Sequence, residues 1–261
     1  MNIQITYKSA LVCGSSQGIG KAVAEELARL GANVTLMARN EEKLKEVAAG
    51  LDTRLGQEHH ILVADFSNPD EVKQKINDHV KLHPVHILVN NTGGPAPGQA
   101  IDAHPESFIA AFNQHLINNQ HLVQATVPFM KKESYGRIIN VISTSVKVPI
   151  PNLGVSNTIR GAVANWSKTL SRELASFGIT VNNVLPGLTM TQRLESLIKS
   201  RAQTAGISEE EQVELMKNAV PAGRFAEASE VAAAVAFLAG PSAAYINGIN
   251  LPVDGGNTPS L

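Results

Sequence analysis

The sequence predicts an α/β fold in which a parallel sheet is doubly wound, with helices on both faces. Three observations carry this. Short apolar runs such as Ala10–Cys13 and Val34–Ala38 are nearly continuous rather than alternating, the pattern of strands buried on both sides. Amphipathic stretches of helical length separate such runs along the chain, which is the order expected of a sheet wound by crossover helices. No Ser/Gly- or Pro-rich linker, repeat or low-complexity tract divides the 261 residues, so residues 1–261 are expected to form a single domain.

Each element follows in turn. Ala10–Cys13 reads as the first strand, stopped by Gly14. Lys21–Leu30 reads as a helix, with Val23, Leu27 and Leu30 on one face and Gly31 as its stop. Val34–Ala38 is the second strand, a charged helix starts near Glu41, and His60–Ala64 is the third strand. Asn68-Pro69-Asp70-Glu71 opens the next helix, with proline in the first turn and acidic residues suited to the helix dipole. His86–Val89 is the fourth strand, helical periodicity runs over about 105–132, and Arg137–Ile142 is the fifth strand. A helix over about 155–177 leads to the strand Thr180–Leu185, and a last helix over 228–239 leads to Ile249–Val253. The stretch 188–222 is polar and broken by Gly206 and Pro221. Lying beyond the carboxyl end of a strand, it is expected to be an inserted, lid-like segment over a substrate.

Composition narrows the class. Apolar residues make up 43% and charged residues 17%, enough for a sizeable core and far from a disordered chain. Lys+Arg number 22 against 23 Asp+Glu, for a net charge of −1, and no basic block stands out. Nucleic acid and anionic membrane are therefore not expected partners. Cys13 is the single cysteine, which precludes internal disulfides and fits a reducing compartment. The first eight residues lack the build of a secretion signal, and no apolar run approaches membrane-helix length. A cytoplasmic protein is expected.

The chemistry begins at Gly14-Ser15-Ser16-Gln17-Gly18-Ile19-Gly20, between the first strand and the first helix. Glycine lets the backbone turn tightly and approach a pyrophosphate with no Cβ in the way, while free N–H groups at the helix start face the negative charge. The spacing is G-x-x-x-G-x-G rather than G-x-G-x-x-G. It resembles the short-chain dehydrogenase/reductase family. Other motifs agree in order: Asp65 closing the third strand, Asn90-Asn91-Thr92-Gly93 after the fourth, Pro186-Gly187-Leu188-Thr189-Met190-Thr191, Gly223-Arg224-Phe225, and Val253-Asp254-Gly255-Gly256. The similarity covers nearly the whole chain and is nearest to the β-ketoacyl-carrier-protein reductase-like branch.

The resemblance implies a Rossmann-type fold and a nicotinamide cofactor held by Gly14, Ser16, Gln17, Gly18, Ile19, Gly20, Asp65, Phe66, Asn91, Gly93, Pro186, Gly187, Thr189 and Thr191. In the family an acidic residue ending strand two selects NAD(H). Here that position is Ala38, followed by Arg39, whose guanidinium suits a 2′-phosphate that a carboxylate would repel. NADP(H) is therefore favoured over NAD(H). The implied reaction interconverts a carbonyl and a hydroxyl on a small molecule. The implied assembly is a homo-oligomer, a dimer or tetramer through the helices at about 105–132 and 155–177 and the C-terminal strand.

The catalytic set departs from the family. Its Tyr-x-x-x-Lys motif occurs at none of Tyr7, Tyr135 and Tyr245, which have Leu11, Ile139 and Ile249 four residues on. Alignment on Gly136–Ser143 retains the catalytic serine as Ser143 and places Ser156 at the tyrosine position and Arg160 at the lysine position. The helix asparagine becomes His115, placed by Leu116 and Pro128-Phe129-Met130. A serine hydroxyl is a far weaker acid than a phenol, and arginine, with a pKa above about 12, stays protonated. Arg160 can hold a ribose or an oxyanion but shuttles protons poorly. His115 is a substitute donor if it reaches the substrate oxygen, and otherwise a packed helix residue. Ser143 has the alternative of capping its own loop. Two functions stay open: an oxidoreductase with a rebuilt acid, and a catalytically silent nucleotide-binding protein acting as a sensor or partner of an active subunit.

His79, His83 and His86 cluster in sequence, but no cysteine or third ligand accompanies them, so a solvated helix end is expected rather than a metal site. Cys13 reads as a small core residue and Trp166 as core or subunit interface.

Overall fold

A computed structural model describes residues 2–260, leaving Met1 and Leu261 outside. Seven strands, β1 (Ser9–Cys13), β2 (Asn33–Ala38), β3 (His60–Val63), β4 (Ile87–Asn90), β5 (Gly136–Val141), β6 (Ile179–Pro186) and β7 (Asn250–Val253), form one sheet. Its order is β3-β2-β1-β4-β5-β6-β7, and every pairing is parallel. The winding reverses between β1 and β4, so a crevice opens there at the carboxyl ends of the strands.

Helices α1 (Gly18–Arg29), α2 (Glu41–Ala49), α3 (Pro69–Leu82), α4 (Pro105–Phe112), α5 (Asn118–Lys132), α6 (Gly154–Leu174), α7 (Gln192–Ala205), α8 (Glu209–Asn218) and α9 (Ala228–Ala239) connect them. Adjacent strand residues feed opposite cores, as the period of two requires. Val12 and Leu36 pack with Leu27 and Val235 on the face covered by α1 and α9. Leu11 and Met37 pack with Ile76, Leu122 and Met130 on the face covered by α3 and α5. All of these side chains are buried, each contributing about 1.5–3 kcal/mol relative to exposure.

The register is also set by amides. Asn90 Nδ2 donates to Asn140 Oδ1 at 2.8 Å, Asn140 Nδ2 to Asn183 Oδ1 at 2.9 Å, and Asn183 Nδ2 to Asn250 Oδ1 at 2.8 Å. Since these asparagines are partners in the strand ladder, a one-residue slip would leave the buried amides unpaired.

Several boundaries differ from the sequence reading. Helix α1 starts at Gly18 rather than Lys21: Gln17 is extended, and Gly18, with a left-handed φ of +56°, turns the chain sharply into the helix that follows. The periodicity at 105–132 contains a π turn at Asn113–Ile117. The segment 188–222 contains two helices: Gly206, read as an interruption, is the left-handed stop of α7, and Ser208 and Glu211 cap α8 reciprocally.

Candidate active site

The turn after β1 is built so that only glycine fits. A Cβ on Gly14, which has φ of +61°, would lie 2.5 Å from the Asn91 carbonyl oxygen, and one on Gly20 would lie 2.2 Å from the Gly14 oxygen. Asn91 Nδ2 donates to the carbonyls of Cys13 and Gly14 at 3.2 and 3.3 Å, fastening the end of β4 to this turn. Ser15, buried, accepts from Met37 N at 3.0 Å and ties the turn to β2. Ser16 is half-buried beside it. Gln17, the N-cap of α1, offers no side-chain cap, so first-turn N–H groups are left for an anion. This cradle fits a pyrophosphate.

Along the same edge, Arg39 follows β2 and is exposed, and Asp65 follows β3. The Ser67 backbone N–H, with the nearby Arg39 charge assisting, holds the Asp65 carboxyl below the usual range. Phe66 is buried, and its carbonyl accepts from Asn118 Nδ2 at 2.7 Å. Lys43, on the first turn of α2, donates to Gln17 Oε1 at 3.4 Å. Neither Arg39 nor Lys43 is ion-paired among the described residues.

The other end of the cleft, about 370 Å³, is lined by Gly14, Gln17, Gly18 and Ile19 together with Ser143, Ser156 and Arg160. Asn91, Gly93, Pro186, Gly187, Thr189 and Thr191 line it as well. A Cβ on Gly187 would lie 2.7 Å from Asp254 Cα, so the Pro-Gly segment packs directly against the stretch after β7. Thr191 caps α7, accepting from Leu194 N at 3.4 Å. Ser143 accepts from Ser145 N at 3.1 Å, the loop-capping role, while also facing the cleft. Ser156 and Arg160 stand one turn apart on α6 and face the same way.

Arg160 is buried. Its Nη1 donates to the Val141 carbonyl and its Nη2 to the Thr92 carbonyl, each at 3.3 Å. Burial, with the Arg193 charge, pushes its pKa down to about 10, below the range expected from sequence, though it remains protonated at neutral pH.

The histidine is the main departure. His115 sits in the π turn, 1% exposed, and is absent from the cleft lining. Its Nδ1 shares a short hydrogen bond with Thr92 Oγ1, and its Nε2 is buried without a partner. Burial, with the positive Arg160 adding to it, pulls its pKa down to about 3. A neutral imidazole enclosed in this way is not placed to donate a proton to a substrate oxygen. Thr92, which stands where the family motif has alanine, thus joins His115 to Arg160, a link invisible in a residue-by-residue alignment.

The other histidines are less solvated than expected. His83 lies 4.0 Å from His60 and 4.9 Å from His79, ring to ring, and His79 Nε2 bonds Thr35 Oγ1 at 3.1 Å. His86 stands apart, accepting from Ser9 N at 3.1 Å. No group of three His, Cys, Asp or Glu among the described residues has the geometry to hold a metal. Cys13 is fully buried, which pushes its thiol up to about 12. Trp166 Nε1 donates to Gln120 Oε1 at 2.8 Å, bridging α6 and α5. Sequence reasoning missed Lys43, which meets the glycine turn through Gln17, and Arg193, which lines the cleft; no local pattern signals either contact.

A family model described as enoyl-(acyl carrier protein) reductase matches residues 14–258. The chain is 36% identical over 251 residues to 3-oxoacyl-[acyl-carrier-protein] reductase FabG of Haemophilus influenzae, covering 95% of this chain and 97% of that one. It is 29% identical over 259 residues to the NADPH-dependent reductase BacG of Bacillus subtilis, covering 98% and 100%. The structure is similar to that of L-sorbose reductase from Gluconobacter frateurii complexed with NADPH and L-sorbose, with a TM-score of 0.93, 29% identity and full coverage of both chains.

Proposed function

The chain belongs to the short-chain dehydrogenase/reductase family, and from that premise we propose that it is an NADP(H)-dependent oxidoreductase interconverting a carbonyl and a hydroxyl with an atypical catalytic set. The observation that carries the reading is the single cleft in which the glycine turn meets Ser143, Ser156 and Arg160. The relatives described as NADPH-dependent or NADPH-bound support the choice of nucleotide, as do Arg39 and Lys43 at the adenosine end, where both suit a 2′-phosphate.

When bound, NADP(H) supplies or accepts the hydride. The protein's share is positioning and electrostatics. The turn Gly14–Gly20 and the N-terminus of α1 hold the pyrophosphate, with Ser16, Asn91, Gly93, Thr189 and Thr191 along its path and Asp65 and Phe66 at the adenine. Ser143 and Ser156 hydrogen-bond the reacting oxygen, and Arg160 faces the negative charge developing there. Water relayed through the Ser156 hydroxyl returns the proton. Helices α7 and α8 act as the lid of a single-domain protein, which works in the cytoplasm as a dimer or tetramer. Among the described residues no helix is long and apolar enough to cross a membrane.

A second reading is favoured by the enclosure of His115 and the absence of tyrosine from the cleft: a nucleotide-binding protein without turnover. Following NADPH absorbance with ketones, aldehydes and acyl thioesters separates the two. Turnover that falls about 10²-fold or more in Ser143→Ala or Ser156→Ala supports the enzyme. Inert wild type beside an active Ser156→Tyr/Arg160→Lys double variant supports the silent protein.

A further inference from the structure

The cleft carries two positive side chains and no negative one. Arg160 and Arg193 both line it, and no Asp or Glu does among the described residues. Arg160 is buried, and the acceptors it meets, the Val141 and Thr92 carbonyls, are uncharged. A guanidinium has five N–H donors, and the acceptors that this one meets are these two neutral carbonyls. The charge that acts on it is that of Arg193, which is also positive. A buried cation with no anionic partner is costly. Arg137, the other buried arginine, also meets only carbonyls but rests over the Tyr135 ring, whereas Arg160 borders the open cleft.

The way in is open. A Cβ built on Gly94 would lie 3.8 Å from Arg160 Nη2, and one on Gly93 would meet nothing within 4 Å. With no side chain on Gly94, the loop beside Nη2 adds nothing over that edge of the guanidinium, which borders the cleft. Arg193, at the second position of α7, donates from Nη2 to the Pro95 carbonyl at 3.1 Å. That contact holds its guanidinium across the loop after β4. It forms no ion pair among the described residues.

We propose that the substrate is an anion: a compact carboxylate-bearing ketone, or the matching hydroxy acid, whose carboxylate lies between Arg160 and Arg193. The inference rests on the oxidoreductase reading given above. A carboxylate suits the planar fork of arginine, which can take both of its oxygens. A 2-oxo acid further lets the Arg160 guanidinium face the carboxylate and the reacting oxygen together, with Ser143 and Ser156 on the oxygen's other side. The cleft is about 370 Å³, near the small end of the roughly 300–1,000 Å³ of ligand pockets, and the nicotinamide end of the nucleotide occupies part of it, so the substrate is short. The carboxylate is a handle and is not consumed. The carbonyl carbon gains the hydride, its oxygen gains a proton from water, and NADPH leaves oxidised to NADP⁺.

The test is calorimetric titration of the full-length protein with a panel of short 2- and 3-oxo acids, each beside its methyl ester, with NADPH titrated separately in the same buffer. The tightest acid is expected to bind at least about tenfold more tightly than its ester, the range of a charge-assisted hydrogen bond. The preference shrinks with added salt, and the acid-to-ester ratio falls about tenfold in Arg193→Gln. If no acid outbinds its ester while NADPH binds, the anionic substrate is overturned and the oxidoreductase reading stands. If the acid preference holds but NADPH does not bind, the anion site stands and the oxidoreductase reading falls. A preference that survives unchanged in Arg193→Gln removes Arg193 from the site and overturns the proposal as stated.

Discussion

Replacing His115 by asparagine tests whether this imidazole is neutral in the folded protein. The folded-state pKa lies near 3, below the value of about 6.5 for an unperturbed histidine. Protons therefore bind the unfolded chain preferentially. The stability linked to this group is complete above about pH 6.5 and is lost as the pH falls from there towards about 3. At pH 5 the unfolded imidazole is almost fully protonated and the folded one is not, a penalty of about 2 kcal/mol; at pH 7.5 the penalty is near zero. His79 and His86, both held near 4 by burial, lose stability over an overlapping range in both proteins and cancel in the comparison. Urea denaturation of wild type and His115→Asn at pH 7.5 and 5.0 gives four unfolding free energies. The wild type should lose about 2 kcal/mol more than the variant between the two pH values, whatever the variant's baseline. Equal losses would mean that His115 is protonated in the folded state near pH 5, and would restore it as a candidate acid.

Two further outcomes follow from the packing. Asn140→Leu keeps the branching and heavy-atom count but leaves Asn90 Nδ2 and Asn183 Oδ1 without their partners, so urea melts should show a loss of about 2–4 kcal/mol; a loss below about 0.5 kcal/mol would mean the amide ladder adds nothing to the sheet. Cys13, fully buried and with its thiol pushed up to about 12, should resist a chromogenic disulfide reagent at pH 8 in the native protein and react at once in denaturant; fast native labelling would contradict its burial.

The fold was largely legible because continuous apolar runs such as Ala10–Cys13 have few alternatives to a buried parallel strand. Gly14, Gly18 and Gly20 were legible for a related reason: backbone contacts exclude a Cβ at Gly14 and Gly20, and Gly18 takes a left-handed φ, so glycine at these positions leaves a local signature in sequence. The helices at 192–205 and 209–218 were not read, although Ser208 and Glu211 form a capping box that announces the second. Polarity on the exposed face masked their periodicity. The site was legible in composition and not in state. Alignment placed His115, but its enclosure depends on the π turn and on Thr92 from another element. The missing partner of Arg160 likewise appears only when β4, β5 and α6 are seen together.

The central claim is that the cleft at the switch point holds NADP(H). Equilibrium titration of NADPH and NADH against wild type and Arg39→Asp tests it most directly. Wild type should bind NADPH at least about tenfold more tightly than NADH, the worth of one charge-assisted phosphate contact. Arg39→Asp should reverse or abolish that preference while NADH binding persists. Failure to bind either nucleotide, or equal wild-type affinity for the two, would contradict the account.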